Sequence, residues 1–201
     1  MKEITLYDYW RSSANYRVRI ALNLAKIRYK TIAVDLLKGE HRLDAHLARQ
    51  PQGIVPVLEI YGQQSTQLLA IIEYINEIYN LGLLPEQTAD KTKVRALAQT
   101  LAIDVHPVCN LTVKNFAVEL SGLQETRPIW IKSFTEPGLK AFEKLLGAFE
   151  QSPYCTGSEV SMADICLMPQ IYNAIRWGAV FNKYPRIVSV VRACDLHPAF
   201  I

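Results

Sequence analysis

The sequence predicts a small α/β domain in the order βαβαββα, followed by an all-helical domain. Three observations carry this. Short apolar runs alternate with helix-period segments through roughly the first eighty residues. The stretch "NLGLLPEQTADK" then breaks the pattern with Gly82 and Pro85, as an interdomain linker does. Beyond it every periodic segment has the helical repeat. The expected division is residues 1–81, a linker at 82–89, and residues 90–201.

The elements follow in order. "EITLY" reads as a strand. A helix begins near Ser13, with Val18, Ala21, Leu22 and Ala25 spaced to share one face. "YKTIAV" is the second strand, and "GEHRLDAHLARQ" a short polar helical segment. "VPVLEIY" opens the third strand at Pro56, and "GQQST" supplies a turn and a fourth. In "QLLAIIEYINEIY" Leu68, Ile71, Ile72, Ile75 and Tyr79 form one apolar face. This order implies a parallel pair closed by a crossover, with a hairpin added at one edge. In the second half, Asp90 to about Leu120 is helical, and Pro107 either kinks one helix or divides two. Another helix runs near Trp130 to Glu150, with "EPG" at Glu136–Gly138 a local irregularity. "VSMADI" is a helix start: Ser161 caps, Asp164 completes a capping box, and Val160 with Ile165 fits a hydrophobic staple.

Composition narrows the function classes. With 22 basic against 19 acidic residues, the charge of +3 is too mild, and too scattered, for a nucleic-acid partner. No run approaches the ~18 apolar residues of a membrane span. No charged-then-apolar leader precedes the first strand, so export is not expected. The four cysteines are irregularly spaced, with no CxxC and no zinc-like Cys/His grouping. Reduced thiols in a cytoplasmic protein are the expectation, and no metal site is expected.

The chemistry concentrates at three connections of the first domain. In "RSSANYRVRIAL", Ser12 and Ser13 sit where backbone N–H groups are unpaired and the helix dipole is positive, a place that accepts anions. A serine there also serves as an ordinary N-cap. No GxSxG turn surrounds it, so a hydrolase nucleophile is a poor reading. In "QGIVPVLEI", a cis Val55–Pro56 bond would turn the Val55 backbone toward a peptide-like ligand; only ~5–6% of such bonds are cis, so the sequence leaves the isomer open. Gln67 places an amide at the start of the third helix, a second positively polarised terminus.

At this point "SSANYRVRIALNL", "PQGIVPVLEI", "QLLAIIEYINE" and "MADICLMPQIYNAIRW" together resemble the zeta class of glutathione transferases, and within it bacterial maleylacetoacetate isomerases. The resemblance spans essentially the whole chain. It implies a thioredoxin-like first domain, a helical second domain and a homodimer. Glutathione would be held mainly by the first domain, with a small anionic maleyl-type substrate between the two. The implied activity is glutathione-dependent conversion of maleylacetoacetate to fumarylacetoacetate, in tyrosine and phenylalanine breakdown. The thiolate adds to the double bond, the bond rotates, and elimination returns glutathione unchanged. Maleylpyruvate isomerisation, general glutathione transfer or dehalogenation, and a non-catalytic binding protein on the same fold are the alternatives.

Matched by position, Ser12 and Ser13 are the activating serines. His41 is a polar residue reaching the glutathione backbone, Val55 with Pro56 its main-chain partner, and Gln67 with Leu68 the holder of its γ-glutamyl end. His106 and Asn110, in "DVHPVCNL", line the substrate cleft. By the same resemblance Arg176 would hold a substrate carboxylate, and Arg11 is placed to attract the dianion. Taken alone, the arginines also read as solvated surface charges, and His106 as a helix-kink residue. The energetics suit the assignment. A free thiol has a pKa near 8.5, and lowering it two units needs only ~2.7 kcal/mol. A charge-assisted hydrogen bond contributes ~1.5–3 kcal/mol and a helix terminus ~0.3–1.

Three positions and the length of the chain depart from the class. Ala14 stands where many members have cysteine. Leu68 replaces a serine whose hydroxyl binds the γ-glutamyl carboxylate, so glutathione binding should weaken roughly 10- to 150-fold without vanishing. Cys109 replaces an asparagine and is expected to fill a packing gap. The chain also ends at "HPAFI", shorter than typical members, so a tail over the cleft is expected to be missing or removed.

Overall fold

The computed structural model describes residues 3–201. The chain divides into two compact units, the first ending at Leu81 and the second running Gly82–Ile201.

The first unit is a four-stranded sheet carrying helices. Strands β1 (Thr5–Asp8), β2 (Lys30–Ala33), β3 (Val57–Ile60) and β4 (Gln63–Thr66) lie in the order β2-β1-β3-β4. The β1–β2 pair is parallel and closed by helix α1 (Ser13–Leu24), while β1–β3 and β3–β4 are antiparallel. Tyr7 therefore faces Ile32 on one side and Val57 on the other. The β3–β4 hairpin turns on Tyr61 and Gly62, both at positive φ, the conformation a two-residue hairpin needs to match the twist of its strands. A short helix α2 (Asp44–Leu47) precedes β3, and α3 (Leu68–Tyr79) follows β4. Helices α1 and α3 pack on each other. Ile71, Ile72 and Ile75 of α3 are fully buried, as are Val18, Ile20, Ala21 and Leu22 of α1, and Leu6, Leu58 and Ile60 beneath them. Leu68 and Tyr79, at the ends of the apolar face of α3, are only half-buried.

The second unit holds α4 (Thr88–Ala102), α5 (Leu111–Ser121), α6 (Thr126–Leu146), α7 (Met162–Trp177) and α8 (Pro185–Asp195). Helix α4 begins inside the stretch expected as linker. Pro107 lies between α4 and α5 and divides two helices. The "EPG" irregularity does not materialise: α6 runs unbroken through Pro137, starting four residues before Trp130. Gly138 explains why this position stays bare, since a Cβ would lie 2.2 Å from Cγ2 of Val105.

Helix α7 is the centre of this unit, with Met162 to Ile171 buried on every side. Its start is the expected capping box. Asp164 accepts from the backbone N–H of Cys155 and Ser161, both at 2.8 Å, and from the Ser161 hydroxyl at 2.6 Å. Burial pushes the Asp164 carboxyl up while these bonds hold it down. Glu143 of α6 does the same service for α8, accepting the N–H of Arg186 and Ile187. Among the described residues no helix is long and apolar enough to cross a membrane.

Candidate active site

The first helix is fixed to the sheet at its front. Asp8, at the end of β1, accepts Nη1 of Arg19 of α1 between its two carboxylate oxygens, at 2.7 and 2.8 Å. Burial raises the Asp8 carboxyl above its usual range, and Arg19 opposes that shift. One turn away, Asn15 donates from Nδ2 to the Tyr7 carbonyl at 3.0 Å in the buried interior. These ties set the position of the residue between them in space, Ser12.

Ser12 is the N-cap of α1, half-buried, and its Oγ accepts the Asn15 backbone N–H at 3.2 Å. An oxygen used as acceptor in this way keeps its own proton for an outside acceptor. Ser13 is the first helical residue and is buried. The two hydroxyls thus differ: Ser12 is open to a ligand, whereas Ser13 is turned into the fold. Arg11 is exposed and stacks over Trp10, 4.3 Å from the ring centre. A recess of about 350 Å³ lies beside it, lined by Trp10, Arg11, Val34 and Leu37 among others. None of Ser12, His41, Val55 or Gln67 lines that recess, so it is separate from the group assembled below.

The second feature is the loop before β3. The Val55–Pro56 bond is cis, and Val55 is buried within a small cluster with Tyr7, Val34 and Val57. His46 secures the loop by bonding the Ile54 carbonyl through Nε2 at 2.8 Å. Gly53 has φ +61, and a Cβ there would meet the His41 carbonyl oxygen at 2.9 Å. The close approach presses the His41 segment against this loop. His41 itself is half-buried, with an enclosed Nδ1 that has no hydrogen-bond partner. Burial, then the charges of Arg42 and His46, lower its pKa, which favours the neutral ring. An enclosed polar atom left unpaired is a group still to be satisfied.

The third feature is the start of α3. Gln67 is the N-cap residue, in an uncommon backbone conformation with φ +67, and no side chain caps the first turn. Its Nε2 donates to Oε1 of Gln52 at 2.7 Å. Gln52 is in turn tied to Gln50, which accepts the Gln52 N–H at 2.9 Å. Sequence reasoning missed Gln52. Its only signal was the polar run "RQPQG" before the proline. Leu68 is the first residue of α3, so its backbone N–H belongs to the unpaired set at the helix front. Ser12, His41, Val55 and Gln67 all sit at the connections of this one sheet. They offer a hydroxyl proton, an imidazole, a main chain and an amide. That donor set suits an extended peptide carrying a thiol and a terminal carboxylate, and glutathione fits it.

In the second unit, Asn110 is the N-cap of α5, its Oδ1 accepting the Val113 N–H at 2.9 Å, which leaves its amide NH₂ to donate elsewhere. His106 is half-buried in the turn between α4 and α5. Cys109 is buried, its sulfur 3.9 Å from Thr135 Oγ1, and burial raises its thiol pKa, so it packs as a small apolar group. Arg176 is exposed in the last turn of α7, with its Cζ 5.0 Å from the Trp177 ring centre. Among the described residues no group of His, Cys, Asp and Glu side chains is placed to hold a metal ion.

Residues 2–77 match the family model "Glutathione S-transferase, N-terminal domain". The chain is similar to maleylacetoacetate isomerase of Rhizobium meliloti, with 49% identity covering 98% of this chain and 94% of that one. Its fold is similar to a holo structure of maleylpyruvate isomerase, a bacterial glutathione S-transferase in the zeta class. There the TM-score is 0.93 and the identity 36%, over 98% of this chain and 94% of the other. It is also similar to a maleylacetoacetate isomerase of Methylobacterium extorquens AM1 with bound malonate and glutathione. That structure has TM-score 0.89 and 34% identity, over 98% and 94% of the two chains.

Proposed function

The chain belongs to the zeta class of glutathione transferases, and from that premise we propose that it is a glutathione-dependent cis–trans isomerase converting maleylacetoacetate to fumarylacetoacetate. The observation that carries the reading is the Ser12 hydroxyl. It is oriented by Asn15, and its proton is free to meet a sulfur anion. When bound, glutathione supplies a thiolate that adds to the activated double bond, allows rotation about it, and leaves again.

The protein's tasks are to hold and to ionise. Ser12 donates to the sulfur at the positive front of α1, and the two effects together are enough to move a thiol pKa by about two units. His41 and the Val55 main chain bind the peptide backbone of the cofactor. Gln67 and the Leu68 N–H meet its γ-glutamyl end. Arg176 takes a substrate carboxylate, Arg11 draws the dianion in, and His106 and the Asn110 amide face the electrophile. Residues 1–81 act as the glutathione-binding domain and residues 90–201 as the substrate domain. We further infer a cytoplasmic homodimer.

Maleylpyruvate isomerisation is the second reading, supported by the 36% identical zeta-class structure. A spectrophotometric assay with maleylacetoacetate and with maleylpyruvate, each with and without glutathione, tests both. The expected result is isomerisation that requires glutathione and consumes none. Stoichiometric loss of thiol would replace this reading with conjugation, and inactivity on both acids would remove it.

A further inference from the structure

Beside Arg176 lie two side chains with no task in the chemistry above. Lys114 lies one turn into α5, four residues beyond Asn110, whose carbonyl accepts its N–H at 3.1 Å. Its ammonium is 5.1 Å from the centre of the Trp177 ring, the same ring that Arg176 approaches at 5.0 Å. Arg127, in the first turn of α6, completes the group. Its Nη2 donates to Oδ1 of Asn115, the neighbour of Lys114, at 3.3 Å. Its Nε is enclosed and has no hydrogen-bond partner. Among the described residues no carboxylate lies within ion-pair distance of Lys114, Arg127 or Arg176.

Three helices thus bring three cations together with no acid among them. The arrangement is electrostatically unfavourable, and Lys114 registers it. Burial strips its hydration, and Arg176 and Arg127 repel its proton, so its pKa falls to about 8. Arg176 at least gains from the C-terminal end of α7. Lys114, inside α5, has no such compensation. Unfavourable features of this kind are kept where a ligand offsets them.

We propose that Lys114 and Arg127 join Arg176 in a carboxylate-binding subsite, with Lys114 the residue that confines the electrophile to carboxylate-bearing acids. The identity of the acid rests on the isomerase reading; the subsite does not. A carboxylate placed among the three turns mutual repulsion into three attractions. The arginines offer planar forks and Lys114 a compact charge, while the indole of Trp177 shields the pairs from water.

The test uses the full chain with malonate, a small dicarboxylate, as the probe. The variants are Lys114→Met, which keeps the apolar stem, Lys114→Arg and Arg127→Met. Calorimetry should show malonate affinity at pH 7 falling at least about tenfold in Lys114→Met, the loss of one charge-assisted bond. Glutathione affinity should be unchanged, which reports an intact fold. Lys114→Arg should return malonate affinity to within about threefold of the parent, and Arg127→Met should weaken it. In the isomerase assay Lys114→Met should raise KM for the maleyl acid more than it lowers kcat. No malonate binding by the parent, or equal binding by Lys114→Met with glutathione affinity intact, overturns the subsite. Lys114-dependent malonate binding in a protein that isomerises no maleyl acid would keep the subsite and remove the isomerase reading. Isomerisation with malonate affinity indifferent to Lys114 would do the reverse.

Discussion

Gln67 and Gln52 meet at 2.7 Å, Nε2 to Oε1, and this contact links the start of α3 to the loop that carries the cis proline. On the proposed reading Gln67 meets the γ-glutamyl end of glutathione, and Gln52 acts by orienting Gln67, as a positioning residue. In Gln52→Leu the Gln67 amide loses its orienting partner. We expect glutathione affinity to fall roughly 2- to 10-fold, the effect of one neutral hydrogen bond. The thiol pKa of bound glutathione should not move, because Ser12 is untouched. Calorimetry and ultraviolet titration of the thiolate separate the two quantities.

Ser12→Ala removes a helix cap and, on the proposed reading, the donor to sulfur. The first loss costs about 1 kcal/mol of stability. The second should slow isomerisation about 10- to 150-fold at neutral pH. It should also raise the pH at which the bound thiol ionises, so activity recovers in part as pH rises. A variant with full turnover and an unchanged thiol pKa would remove Ser12 from the chemistry.

Leu68→Ser restores a hydroxyl at the front of α3. Glutathione affinity should increase at least about tenfold. No gain would mean that the backbone N–H alone serves the γ-glutamyl carboxylate.

Lys114 gives a pH signature. Its folded-state pKa is about 8, below its ordinary value, so between the two the unfolded chain holds a proton that the folded chain has released. The contribution of Lys114 to stability therefore rises with pH across that window, the sign opposite to that of a lysine with an acidic partner. The buried thiols of Cys109, Cys155 and Cys194, whose pKa values burial raises, pull the other way over the same range. The quantity to read is therefore the difference between parent and Lys114→Met urea midpoints from pH 7 to 10, which should grow in the parent's favour as pH rises. Malonate binding should run the other way, weakening above about pH 8 as the ammonium is lost.

What the sequence revealed tracks how local each cause is. The buried face of α3 was legible because Ile71, Ile72 and Ile75 repeat with the helix itself. The capping box of α7 was legible because its partners, Ser161 and Asp164, are three residues apart. The serines at the front of α1 were legible for the same reason. The Val55–Pro56 isomer was not, since both isomers share one sequence. The continuity of α6 through Pro137 was hidden because proline and glycine together read as a break, whereas Gly138 is bare where the distant Val105 packs against it. Lys114 was hidden too. One lysine in a polar helix reads as solvated, and only the arrival of α6 and α7 beside it reveals the crowding. Gln52 became visible only once the loop closed on α3.

The Arg19–Asp8 pair and the Asn15–Tyr7 bond have a further consequence. They anchor both flanks of the Ser12 turn without any help from a ligand. A hydroxyl immobilised beforehand surrenders little motional freedom when its partner arrives, so nearly all of its interaction energy remains available for lowering the barrier. On the proposed reading, the thiolate would meet a rigid anvil at Ser12.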